Sequence, residues 1–224
     1  MDAVLSLKFE VPDDRPDWPV VTIRVNGSNP FAGVADEWQG FDPAEILGAD
    51  APLVPDDAGR RVAVYRCSCG EPGCGVIAPY IVPSPDHQRI SWIDFRDYTG
   101  VFNGPLTATP TEGRPWNLPD LHFNRTQYLA EVRRATADRS WETPRRATAR
   151  LLKDRLRSIP HLRWISPAWN ADGVQLSIEQ PGHPQQLLHL TSTKPTPEQA
   201  ASDMAHQLLS TPPTTWPDKF RAII

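Results

Sequence analysis

The sequence predicts an α+β protein. It has an antiparallel, β-rich N-terminal part with a cysteine-loop meander, then two basic helices, then a C-terminal part of β-hairpin, strand and helix. Three observations carry that reading. Short runs rich in β-branched residues, bounded by turn residues, dominate the first hundred positions. After about residue 120, apolar residues recur at helical spacing in two segments with recognisable starts. The 25 prolines among 224 residues are about twice the usual share, which implies short elements joined by stiff loops.

The elements follow in order. Residues 3–11 and 20–25 are strands, the second running into Asn26-Gly27, a pair suited to positive φ in a tight turn. Asp42, Pro43 and Gly48 mark a short helix, with aspartate at the N-cap, proline at the first helical position and glycine at the stop. Residues 61–66 lead into a cysteine-rich loop, 76–82 lead out, and 89–95 return after a turn at Pro83-Ser84-Pro85-Asp86. These three make an antiparallel meander. Pro105, Pro110, Pro115 and Pro119 make 100–120 a wrapping loop or linker.

The first helix spans about 125–138, with Tyr128, Leu129, Val132 and Ala135 on one face. The second starts at Thr143-Pro144 and presents Ala147, Leu151, Leu152, Leu156 and Ile159 to a core. Strands at 162–168 and 173–179, joined at Asn170–Gly173, precede a strand at 186–192. A last helix opens with the capping box Thr196–Gln199. Trp216 and Phe220 in the tail are expected to pack back onto the body. The division expected is 1–120 and 121–224, or one continuous body.

The net charge of -4 conceals an asymmetry. Residues 124–163 hold eleven basic and four acidic side chains, so this segment is at +7 and the remainder at -11. Three readings compete: internal pairing with the chain's own carboxylates, an acidic protein partner, or nucleic acid bound through Arg133, Arg134, Arg145, Arg146 and Arg150. Internal pairing is favoured, because an acidic protein lacks the long-range attraction that nucleic-acid binding uses. No run reaches the roughly 20 apolar residues of a membrane-spanning helix. The first residues carry neither the basic nor the apolar region of a secretory signal. Three cysteines crowded together do not suit a disulfide framework, so a reducing, cytoplasmic location is expected.

Chemistry concentrates in Arg66-Cys67-Ser68-Cys69-Gly70-Glu71-Pro72-Gly73-Cys74-Gly75. In a strand, Cys67 and Cys69 project from one face, and Gly70, Gly73 and Gly75 let the chain fold back to bring in Cys74. Three convergent thiols form a metal half-cage, and zinc is the usual ion in tetrahedral, sulfur-rich sites. A fourth ligand must come from elsewhere. His87 lies at the far end of the meander, whereas Asp94 and Asp97 return to the cysteine end. His122, at the end of the proline-rich segment, is the named candidate, with Asp97, a water or a partner's ligand as alternatives. Two other readings stand beside zinc: small apolar thiols filling a tight loop beneath Trp92 and Phe95, and redox or nucleophilic use, including a Cys74–His122 pair.

The loop together with Trp92–Phe95 resembles a widespread group of bacterial proteins. These carry a Cys-x-Cys-Gly-x-x-Gly-Cys loop followed by a Trp-x-x-Phe strand. The flanking Gly40–Pro43 and Ser140–Pro144 resemble the actinobacterial branch of that group. The resemblance spans residues 20–145 and implies no particular activity. Some members of the group look like accessory or immunity proteins encoded beside toxins.

No phosphate-binding loop, dinucleotide fingerprint, nucleophile elbow or His-Glu-x-x-His motif is present. His183 falls in a Pro-Gly-His-Pro turn, and His189 alternates with Leu188 and Leu190 on a strand. The eight tryptophans are spread evenly, as core and loop anchors are. The expectation is a non-enzymatic cytoplasmic interaction or accessory protein whose cysteine loop holds structural zinc. A nucleic-acid-associated factor and a zinc- or cysteine-dependent enzyme are the alternatives.

Overall fold

The computed structural model describes residues 1–35, 38–48, 50–69, 73–100, 105, 113–169, 171–179 and 185–220. Gly70, Asn170 and His183 lie outside the described residues. The architecture is α+β with antiparallel sheets of two, seven and three strands. Contacts divide the chain into two units, Met1–Trp141 and Glu142–Ile224. No helix among the described residues is long and apolar enough to cross a membrane.

In the first unit, β1 (Leu5–Glu10) pairs with β2 (Val20–Val25) in the register Leu5↔Val25, and Leu5, Leu7, Val21 and Ile23 enter the core. β3 (Trp38–Gly40) comes so close to β2 that a Cβ at Gly40 would sit 1.8 Å from the Val21 carbonyl oxygen, so only glycine fits there. The short α1 (Pro43–Ile46) starts as expected, with the Asp42 carboxylate accepting the Ala44 N–H at 2.8 Å.

The large sheet continues through β4 (Arg60–Arg61), β5 (Tyr65–Cys67), β6 (Val76–Pro83), β7 (Arg89–Tyr98), β8 (Arg114–Pro115) and β9 (Leu121–Asn124). Its spine is the β6–β7 pair. β5 and β4 line the outer edge of β6, β8 and β9 line that of β7, and β3 pairs with β5. The single strand expected at 61–66 is split in two. The register slips by one residue between Arg61↔Tyr80 and Tyr65↔Ile77, around Pro79, which has no N–H to give the ladder. In between, the Ala63 N–H turns away to the Pro105 carbonyl at 2.6 Å.

β7 runs three residues further than expected and carries a bulge, where Asp94 adopts φ 47°. The bulge is fixed by Arg61, whose side chain is only 2% exposed. It reaches the Asp94 carboxylate at 2.6 Å and also bonds the Asp94 and Ala78 carbonyls. Arg96 holds the same carboxylate at 2.9 Å. Burial pulls Asp94 upward, but the hydrogen bonds from Arg96 and Arg61 outweigh it and hold the carboxyl below its ordinary range.

α2 (Arg125–Ala137) is capped by Asn124 and buries Tyr128, Val132 and Ala135. Its other service is to β1, whose outer edge has no strand neighbour among the described residues. Gln127 accepts the Leu5 N–H at 3.3 Å and donates to the Leu5 carbonyl at 2.8 Å. Glu131 accepts the Leu7 N–H at 2.7 Å, and Arg134 donates to the Leu7 carbonyl at 2.6 Å. Side chains spaced along one helix face thus stand in for a missing strand and close the edge. Beneath them Trp92, Phe123 and Tyr128 form an aromatic cluster with ring centroids 5.4–6.4 Å apart.

In the second unit, α3 (Pro144–Arg155) and α4 (Pro197–Leu209) contribute Leu152 and Met204 to one core. The core's other side comes from β10 (Leu162–Pro167), β11 (Val174–Ile178) and β12 (Gln186–Leu190). The buried face of α3 is Thr148, Ala149 and Leu152, a small rotation from the one expected. Ala147 is only half-buried. Thr196 caps α4 by accepting the Gln199 N–H at 3.3 Å. The tail packs back as expected. Trp216, at the start of α5 (Trp216–Lys219), donates its indole N–H to the Thr211 carbonyl at 2.9 Å, and Phe220 is buried.

Candidate metal centre

The cysteine loop is gripped by ladder bonds on both arms. The Cys67 N–H donates to the Gly75 carbonyl at 3.0 Å, which extends the β5–β6 pairing to the mouth of the loop. The Gly100 N–H donates to Gly73 at 2.7 Å, and Gly73 takes φ 69°, a turn that a side chain would strain. With its arms held, the loop brings its sulfurs together: those of Cys67, Cys69 and Cys74 all lie within 4.8 Å of one another. One metal ion can be held by three groups at that spacing. Cys67 is half-buried, and Cys69 and Cys74 are exposed. Exposed sulfurs do not suit thiols that merely fill a tight loop. Trp92 and Phe95, beneath which they were to lie, are buried in the core further along β7.

Proximity has an electrostatic cost. The Cys74 thiol is pushed up to about 11, first by its hydrogen bond with Cys69, then by the one with Cys67, and by repulsion between the charges. A bound cation reverses this, because a coordinating thiol loses its proton outright. The donor set therefore fits a thiophilic ion.

The carboxylate and imidazole candidates separate cleanly. His122 sits on β9 opposite Ser91, and its Nδ1 is 2.8 Å from the Ser91 hydroxyl. The cysteine end of β7 is at Tyr98, opposite Val76. Seven residues at about 3.3 Å each put His122 roughly 23 Å from that end along the strand. The structure thus brings the three cysteines together and does not bring His122 to them, which also removes the Cys74–His122 pair. The reason is β9 itself, a four-residue strand between a proline-rich segment and a helix cap, too short to be read as a strand. His87 is likewise at the far turn, 3.9 Å from Asp57.

Asp94 is engaged by Arg61 and Arg96, which leaves Asp97. It lies opposite Ile77, and its Oδ1 would be 3.3 Å from a Cβ placed on Gly75. The Trp38 indole would be 3.0 Å from the same Cβ and packs edge-on against Trp116, with ring centroids 5.6 Å apart. Burial raises Asp97 above the ordinary carboxylate range, and Arg114 and the Val76 N–H offset it only in part. Among the described residues, Asp97 Oδ1 and the Trp116 indole nitrogen are buried without a hydrogen-bond partner. Each such orphan costs about 1–3 kcal/mol. Sequence spacing placed Asp97 at this end of the sheet, but its orphaned oxygen is visible only in three dimensions.

The arginines are largely occupied within their own units. Arg134 bridges Glu131 and Asp138 as well as β1, and Arg133 bonds the Leu129 carbonyl. Arg150 grips the nearly buried Glu142 at 2.7 and 2.9 Å, and Arg145 reaches the Ala171 carbonyl at 2.7 Å. Arg157 pairs with Asp154 and Arg163 with Glu179.

Compared with known proteins, the chain matches no family model, no curated protein and no solved structure.

Proposed function

We propose that this is a non-enzymatic, cytoplasmic interaction or accessory protein whose cysteine loop holds a structural zinc ion. The gathering of three sulfurs within 4.8 Å of one another carries the reading. Zinc suits such a donor set because it accepts thiolates at about 2.3 Å in tetrahedral geometry without redox chemistry. Its place favours a structural role. An ion there would tie the end of β5 to the start of β6 at a point where the ladder stops and Cys69 and Cys74 are exposed. The pairing of the basic segment with its own carboxylates supports docking to a protein over docking to nucleic acid.

Elemental analysis of tag-free protein, with a thiol titration on the same sample, tests the metal. About one zinc per chain, with the thiols released only after chelation, is the expected result. Metal-free protein with three freely reacting thiols would sink the reading. Retention on heparin that falls steeply with salt would instead favour the nucleic-acid alternative.

A further inference from the structure

We propose that Asp97 completes the metal centre, with Oδ1 joining the sulfurs of Cys67, Cys69 and Cys74. This inference rests on the metal reading above.

Three observations converge on Asp97. The first is position: its carboxylate lies over Gly75, the residue directly after Cys74, 3.3 Å from where a Cβ would stand. A Cβ at 75 would crowd both this carboxylate and the Trp38 indole, so glycine is what lets Asp97 approach the loop from this side. The second is need. Oδ1 is buried without a partner among the described residues, and a buried orphan of this kind in a native fold points to an ion, a water or a functional role. The third is elimination on the same strand. Asp94, the other carboxylate near this end, is held at 2.6 Å by Arg61 and at 2.9 Å by Arg96. Asp97 is outside the sulfur triangle itself, and joining it would require its side chain to turn toward the sulfurs past Gly75. Three thiolates and one carboxylate make a closed four-coordinate site, as a structural ion requires. The rival partner for Oδ1 is the Trp116 indole N–H, which is buried and orphaned on the same wall.

Cobalt(II) titration of the full-length chain separates these possibilities, with Asp97→Asn, Asp97→Cys and Trp116→Phe compared against the parent protein. Asp97→Asn is expected to weaken cobalt binding by at least about tenfold with unchanged circular dichroism. Asp97→Cys is expected to raise the sulfur-to-cobalt charge-transfer band by about one third, as three thiolates become four. Trp116→Phe should leave both unchanged. If Asp97→Asn binds cobalt like the parent and Asp97→Cys adds no intensity, Asp97 is not a ligand although the metal reading stands. Equal losses of melting temperature in Asp97→Asn and Trp116→Phe, with unaltered cobalt affinity, assign the oxygen to the indole and overturn the proposal. A parent protein without any thiolate–cobalt band removes both readings.

Discussion

The two ends of β7 are built from similar materials to different ends. Where the strand begins, polar groups find one another. Ser91 bonds His122 at 2.8 Å, the buried Trp92 indole donates to the Tyr128 hydroxyl at 3.1 Å, and that hydroxyl donates to the Leu53 carbonyl at 2.8 Å. Where it finishes, two tryptophans and an aspartate meet, but the Trp116 nitrogen and an Asp97 oxygen are left without partners among the described residues, near the exposed Cys69 and Cys74. The first end is a closed hydrogen-bonded core, which buys stability. The second leaves polar groups unmatched among the described residues, a feature that a native fold seldom carries without a reason.

The contrast can be broken most severely at the closed end. Trp92→Ala empties a fully buried indole site and is expected to destabilise the protein by about 3–5 kcal/mol in urea melts. Tyr128→Phe keeps the ring but strands the Trp92 N–H and the Leu53 carbonyl, at a cost of about 2 kcal/mol. Neither change touches a cysteine, so where the variants remain folded, metal stoichiometry should be that of the parent. A Tyr128→Phe protein as stable as the parent would show that the closed network contributes nothing.

Between the two ends, Asp94 gives a test by pH. Its folded-state value is depressed, so the stability it confers is fully present above the unfolded value near 3.9 and is lost as pH falls through the folded one. The parent should therefore lose stability between about pH 5 and pH 3 that Asp94→Asn, already lacking the carboxylate, does not lose. Parallel stability profiles for the two proteins would contradict this. The smallest effect is expected for His122→Ala, which removes one exposed hydrogen bond worth about 0.5–1 kcal/mol and should leave metal content unaltered. Loss of metal in that variant would restore the histidine as a ligand and undo the contrast between the two ends.

The meander, the capped helices, the packed-back tail and the convergence of the three cysteines were legible from spacing and turn chemistry, because each depends on residues near one another in the chain. The split of β4 from β5 could be read only once Pro79 was known to lie opposite it. The use of Gln127, Glu131 and Arg134 to close the edge of β1 was hidden for a similar reason. Those residues look like an ordinary solvated helix face, and only the missing strand gives them a task. The same holds for much of the arginine-rich segment. Its charge was countable at once, and Arg157 pairs with Asp154 only three residues away, but the pairing to Glu142 and Glu179 depended on how the chain folds back.

By itself, then, the sequence determined the α+β class, the order of most elements and the identity of the three sulfurs, since local periodicity and glycine placement act over a few residues. Tertiary structure alone decided that His122 is at the wrong end of β7 and that Asp97, which spacing already put at the cysteine end, has an oxygen unmatched among the described residues. Both follow from cross-strand register. A four-residue strand can pair anywhere along a ten-residue neighbour, and its own residues do not reveal where.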